Sequence, residues 1–115
     1  MSLRQISELI HAKGNASTGT IGIVSAPTNL RQRVAVYRAI ITIASPAVTL
    51  QFQDTTGAAL SQTFQLAANP AIVLDVADNM DPWFYTVAGV GLQLVQSGTS
   101  NVGYDIYYLQ QPGAF

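Results

Sequence analysis

The segment VTLQFQDTTGAALSQTFQL, residues 48–66, decides the fold class of this chain. Its first half places Val48, Leu50 and Phe52 on one face of an extended backbone, and Thr or Gln on the other. The turn-forming residues 54–57 follow, after which apolar residues return at even spacing. Alternation of this kind indicates strands of a sheet that has one buried face.

The same period of two runs through the chain from residue 18 onward, with turn signals such as Asn69-Pro70 and Asp81-Pro82 between the apolar runs. Residues 34–43 are more continuously apolar and predict a central strand. We therefore expect residues 18–115 to form one all-β domain, a single jelly-roll-like β-sandwich of about eight strands. The predicted core residues are Ile41, Ile43, Leu50, Phe52, Phe64, Leu66, Ile72, Leu74, Leu92, Leu94, Val102 and Ile106.

The first 17 residues differ from the rest and predict an N-terminal arm with a linker. Its apolar residues at helical spacing are Leu3, Ile6, Leu9 and Ile10. Ser2 and Gln5 fit a capping box, Gly14 fits a helix end, and residues 15–19 fit a flexible connector. The sequence leaves open whether the arm is a helix or an extended ribbon.

Charge is scarce, since only 10% of the residues are charged while 49% are hydrophobic. All five basic residues fall in the first 38 positions, and five of the six acidic residues come later. This scattered charge does not make the basic stripe of a nucleic-acid reader, so we expect no nucleic-acid partner. No apolar run is long enough to span a membrane, so we expect no membrane partner. Polar positions hold Gln, Thr, Ser and Asn, which is typical of a neutral surface that another chain can cover.

Three aspartates, Asp75, Asp78 and Asp81, precede the single tryptophan, Trp83. Calcium needs six to eight oxygen ligands, and this spacing lacks the alternation and the glycine of a calcium loop. Asp75 fits the end of a strand, facing away from the apolar residues, and turn formation before Pro82 explains Asp78 and Asp81, so we expect no metal site. Trp83 fits either the core or a subunit contact better than a sugar site.

Catalytic chemistry has little support in this sequence. His11 is the only histidine, there is no cysteine, and the expected place of His11 is a solvated face shared with Glu8. The glycine-containing stretches lack the strand–turn–helix context of a phosphate loop. We therefore expect no catalytic residue, no cofactor and no enzyme activity.

In the last strand, Tyr107 lies on one face and Tyr104 and Tyr108 lie on the other. Tyrosines on both faces are consistent with either simple β propensity or a surface that another chain covers.

Two segments together resemble small β-sandwich virion proteins of tailed bacteriophages. They are VYRAIITIASPAVTLQFQDTTGAALSQTFQLAANPAIVL, from residue 36, and PWFYTVAGVGLQLVQSGTSNVGYDIYYLQ, from residue 82. The resemblance is in strand order and turn type and covers residues 36–110, with Gly103 and Tyr107 kept in the closing strand and Tyr108 added. The N-terminal arm has no strong counterpart in the family pattern.

The resemblance implies a structural role as a capsid decoration protein or a head fibre, usually as a homotrimer. The short chain and its neutral surface favour a decoration (cement) protein, assembled in the host cytoplasm and placed on the outer capsid surface against the major capsid protein. The arm residues expected to dock there are Leu3, Arg4, Ile6, Leu9, Ile10 and Lys13. The alternative is a carbohydrate- or receptor-binding adhesin domain. Trp83, Tyr85 and Tyr107 are its candidate interface or glycan contacts.

Overall fold

The computed structural model of the protein describes residues 9–44, 48–66, 71–75 and 81–112. These residues form strands and no helix, so no helix among them could cross a membrane. In chain order the strands are β1 (Ile10–Ala16), β2 (Thr20–Val24), β3 (Gln32–Ile43), β4 (Val48–Asp54), β5 (Phe64–Leu66), β6 (Ala71–Leu74), β7 (Phe84–Tyr85), β8 (Leu92–Gln96) and β9 (Val102–Pro112).

The strands form two antiparallel sheets. In the front sheet the order is β1-β9-β3-β6. The short strand β7 also pairs directly with β3, nearer to the start of β3 than β6 does. In the back sheet the order is β2-β8-β4-β5. The all-β sandwich that the sequence predicts is therefore confirmed, with nine strands in the described residues rather than about eight.

The inner faces of the two sheets form one apolar core. Of the predicted core residues, those that are fully buried are Ile41, Ile43, Leu50, Phe52, Leu92, Leu94, Val102 and Ile106. Phe64, Ile72 and Leu74 pack against this core while partly buried. The side chain of Leu66 lies outside the described part of the chain. Phe52 of the back sheet meets Phe84 of the front sheet, with ring centroids 4.7 Å apart.

The described part of the N-terminal region is extended, which is one of the two forms that the sequence left open. Residues 10–16 form strand β1, which pairs with β9 from Ile10 opposite Tyr108 to Ala16 opposite Val102. The expected helix end at Gly14 and the flexible start of the connector at Asn15 are therefore wrong. Tertiary pairing along the edge of β9 outweighs the weak local preference of a short helix. Residues 1–8 lie outside the described part of the chain.

The turn after β4 is closed by Asp54, whose side chain is buried. Its Oδ1 accepts hydrogen bonds from the Thr56 hydroxyl at 2.6 Å, the Thr56 N–H at 2.9 Å and the Ala58 N–H at 3.1 Å. Gly57 has a φ of 95°, a left-handed conformation that glycine adopts at little cost. The predicted turn at residues 54–57 is confirmed, and Asp54 is its central acceptor.

Candidate interaction surfaces

The outward-facing side of the front sheet carries a row of aromatic and charged groups, which we name the charged face and define by His11, Lys13, Arg38, Asp105 and Tyr107. The His11 ring stacks on Tyr107 across β1 and β9, with centroids 4.3 Å apart and planes only 2° from parallel. His11 Nε2 donates a hydrogen bond to Asp105 Oδ1 at 2.6 Å. The Arg38 guanidinium lies 5.5 Å from the Tyr107 ring centroid on the other side. Strands β1, β9 and β3 are thus joined on the outer side as well as through their backbones.

The row continues to the far edge of the sheet. Arg38 Nε lies 3.4 Å from Asp75 Oδ1, which directly follows β6. That distance is longer than a good hydrogen bond, and both side chains are well exposed, so the pair adds little stability. Asp75 is placed at the end of a strand and faces outward, as the sequence predicts.

A depression interrupts the charged face at Gly103 of β9. Gly103 has no side chain, and an added Cβ would lie 2.8 Å from Thr42 Oγ1 and 2.9 Å from Asn15 Oδ1. The depression measures about 450 Å³. The side chains around it are those of Lys13, Asn15, Ile40, Thr42 and Asp105. Three strands therefore contribute to one shallow recess with both polar and apolar lining.

Exposed apolar side chains gather along the β6–β7 edge of the front sheet. We name this set the aromatic edge and define it by Val73, Trp83, Tyr85 and Val87, which are 59%, 49%, 50% and 66% exposed. Trp83 Nε1 donates to the Asp75 carbonyl at 2.6 Å, which fixes the ring orientation. Of the two alternatives for Trp83, the core is wrong, because half of the residue faces outward. Its role as a subunit contact stays a prediction.

Tyr85 is held by a cation–π contact. The Arg33 guanidinium carbon lies 3.6 Å from the Tyr85 ring centroid, so one face of the ring is covered. Beside it, Gln111 Nε2 donates to the Tyr37 hydroxyl at 3.1 Å. Tyr37 is buried although it lies on the bulge of β3 and outside the core cluster, and this hydrogen bond gives its hydroxyl a partner.

The outward-facing side of the back sheet has a different chemistry. We name it the glutamine face and define it by Thr49, Gln51, Gln53 and Gln93. The Gln93 amide donates to Gln53 at 3.3 Å, Gln53 donates to Gln51 at 2.8 Å, and Gln51 donates to the backbone carbonyl of Ser61 at 3.2 Å. The outward residues of β4 and β8 include no charged side chain. The face is thus neutral, and its amides are already ordered by one another.

The predicted site residues that the structure describes are spread across the front sheet, from one edge to the other. Lys13 is exposed on β1, Ile10 is 45% exposed at its start, and Leu9 is half-buried just before it. Leu3, Arg4 and Ile6 lie outside the described residues. Trp83 and Tyr85 lie at the opposite edge, and Tyr107 lies in the middle of the charged face.

The described residues contain no group of three or more side chains suited to hold a metal ion. Asp75 and Asp81 are exposed, and Asp78 lies outside the described part of the chain. The contact of His11 with Asp105 was missed from the sequence, because the two residues lie 94 positions apart and only the pairing of β1 with β9 brings them together.

A second feature that the sequence did not reveal is the buried side chain of Gln96. Its Nε2 donates to the Thr18 carbonyl at 2.8 Å and to the Ser100 carbonyl at 2.9 Å. This amide ties the β1–β2 connection to the β8–β9 connection. A glutamine at an inward position of a strand is the one sequence signal that points to such a role.

Comparison with known proteins leaves the family of this chain open. No family model matches it, and neither curated proteins nor solved structures give a significant match. The resemblance to virion proteins of tailed bacteriophages therefore stays a prediction.

Proposed function

We propose that this chain is a non-enzymatic virion structural protein, a capsid decoration protein that binds the outer capsid surface as a homotrimer and stabilises the shell. The observation that carries the proposal is the strand order, β1-β9-β3-β6 against β2-β8-β4-β5. We assign this order to a jelly roll, in which the chain passes repeatedly between two four-stranded sheets. Jelly rolls are common in viral capsid proteins and in lectins, so the assignment supports the two candidate functions considered below.

The glutamine face supports a docking role over a free-standing one. A neutral surface of ordered amides offers hydrogen bonds to a partner without the cost of stripping water from charges. In a decoration protein, many such weak contacts add up because the shell repeats the same site many times. We place the major capsid protein against this face and against the arm.

The arm residues stay in the proposal as docking contacts. Ile10 and Lys13 lie on β1, the edge strand of the front sheet. The residues that precede β1 therefore join the domain at its edge. Leu3, Arg4, Ile6 and Leu9 precede β1 in sequence. Apolar side chains in such a position can bury area on a neighbouring subunit.

The aromatic edge is the surface that we propose for contacts within the trimer. Several large apolar side chains exposed along one edge are typical of a protein interface, and unpaired sheet edges are otherwise prone to unwanted pairing. The test is the solution mass by light scattering, which should be three times the chain mass of 12.2 kDa. Val87→Asp should lower the mass to that of a monomer, while Ile10→Asp at the opposite edge should leave the trimer intact.

The experiment for the decoration role is co-sedimentation with capsids of the particles that carry the chain, prepared without it. Saturable binding at a fixed number of copies per capsid is expected. Binding should fall when residues 2–8 are removed. A chain that stays in the supernatant at every concentration would rule out the role.

The alternative is an adhesin domain that binds glycans through Trp83 and Tyr85. The observation in its favour is that the Trp83 ring is both half-exposed and fixed by its hydrogen bond to Asp75. Such a ring can stack on a sugar without losing side-chain entropy. Glycan-array hits that disappear in Trp83→Ala would favour the adhesin over the decoration protein.

A further inference from the structure

The depression at Gly103 is separate from the aromatic edge and from the glutamine face. Gly103 lies on β9, between Asn15 of β1 and Thr42 of β3 in the strand register. Its missing side chain leaves room for the Asn15 and Thr42 oxygens at the edge of the recess, because an added Cβ would meet both oxygens closer than ordinary contact.

The chemistry of the recess matches hydroxyl groups. Lys13 only donates hydrogen bonds, and Asp105 only accepts them, with one of its oxygens already bonded to His11. The Thr42 hydroxyl and the Asn15 amide do both. A sugar hydroxyl both donates and accepts, so it can bond to every one of these groups. Ile40 adds an apolar wall suited to the C–H groups of a sugar ring.

The charge of the recess points to a neutral ligand. Lys13 and Asp105 are direct partners in the register of β1 and β9, so a positive and a negative side chain stand side by side. An anion placed there would meet the Asp105 carboxylate, and a cation would meet the Lys13 ammonium. A metal ion would find too few oxygens, because Asp105 supplies the one carboxylate among the lining side chains.

We propose that this recess binds one neutral sugar ring of a glycan. Its volume of about 450 Å³ lies in the range of small-molecule sites. Because the recess is shallow, the affinity of one copy is weak, with a Kd of about 1–10 mM. Many copies on one particle would convert such weak binding into firm attachment. The intrinsic binding does not depend on the decoration role.

The experiment titrates ¹⁵N-labelled protein with methyl glycosides of neutral hexoses and N-acetylhexosamines and follows amide shifts by NMR. The expected result is a saturable shift of the Gly103, Asn15 and Thr42 amides. Gly103→Ala should weaken binding by about tenfold or more, since the added methyl group would displace the Asn15 and Thr42 oxygens that the sugar would contact. The matched control is Gly22→Ala, in β2 of the back sheet, where an added Cβ meets nothing within 4 Å.

A second pair of variants tests the same proposal if Gly103→Ala does not fold. Thr42→Val removes one exposed hydroxyl and should weaken binding about fivefold, whereas Thr49→Val on the glutamine face should leave it unchanged. The proposal is overturned if no glycoside shifts these amides, if the shifts map to Trp83 and Tyr85 instead, or if acetate or phosphate binds in the recess more tightly than the glycosides. Binding that falls equally in the control variants would overturn it as well.

Discussion

The two outward-facing sheet surfaces of this sandwich differ in their chemistry. The charged face of the front sheet joins His11, Asp105, Tyr107 and Arg38 through stacking, hydrogen-bond and cation–π contacts. On the glutamine face, neutral amides bond to each other in a chain. Both surfaces lie over the same core, so burial of that core does not require the difference. The proposed docking of the glutamine face on a capsid would account for it.

The stability of the front sheet also depends on β1, a strand that could not be predicted from the sequence. Deleting residues 2–14 removes most of β1 and uncovers the edge of β9, so we expect a loss of more than about 4 kcal/mol of unfolding free energy, beyond the usual range of a single substitution. Urea unfolding followed by circular dichroism measures it. Deleting residues 2–8 alone is the matched control and should cost far less. Equal stability of both truncated chains would mean that β1 contributes nothing to the sheet.

The inner faces, by contrast, act as one unit. Phe52 is fully buried in the back sheet and touches Phe84 of the front sheet, so Phe52→Ala should cost about 3–5 kcal/mol. Phe64→Ala, at a partly buried position, should cost less. Unfolding transitions that separate for the two sheets, instead of shifting together, would contradict the single core.

We expect Asp54 to make the stability of the fold sensitive to acid. Burial would raise the pKa of this carboxyl, but hydrogen bonds from Thr56, Ala58 and Gly57 outweigh burial and lower the pKa below its ordinary 3.8. The folded state therefore binds fewer protons than the unfolded state. The stability contributed by the carboxylate is present above pH 3.8 and is lost as the pH falls through the lowered native pKa.

Two variants test this assignment. Asp54→Ala should cost about 1–3 kcal/mol at neutral pH, because the partly buried hydrogen bonds from Thr56 and Ala58 that close the turn are lost. Asp54→Asn keeps an acceptor oxygen but has no proton to gain, so its stability should vary less with pH than that of the natural chain. Denaturant midpoints measured from pH 7 down to pH 3 distinguish the two. A pH profile that Asp54→Asn leaves unchanged would assign the acid sensitivity elsewhere.

The smallest expected effect compares the outer faces directly. Arg38→Ala, which removes the contact with Asp75 on the charged face, should cost no more than about 1 kcal/mol, and the cost should shrink at about 1 M salt, where charges are screened beyond about 3 Å. Gln53→Ala on the glutamine face should show a similar cost with no salt dependence. Equal salt responses of the two variants would remove the distinction between the faces.

Much of the fold could be predicted because β4, β8 and β9 alternate large apolar residues with polar ones. Strand β1 could not, since its inward positions are Ala12, Gly14 and Ala16, which carry almost no hydrophobic signal. Gly14 is explained by space rather than by a helix end: a side chain there would approach the Tyr104 hydroxyl to 2.8 Å.

The candidate surfaces were harder to predict than the core. The contacts of His11 with Asp105 and of Trp83 with the Asp75 carbonyl follow from strand pairing and from a backbone path, neither of which leaves a local pattern. The neutrality of the glutamine face was visible, because the outward positions of β4 are Thr or Gln in the sequence itself.

The most direct test of the central claim is a cryo-electron microscopy reconstruction of the particles that carry this chain. The decoration role predicts density for the sandwich on the outer capsid surface, in groups of three copies around local symmetry axes, with the aromatic edges meeting inside each group and the glutamine face against the shell. Density for the sandwich found only on a tail or fibre, or a shell surface with no such density, would contradict it.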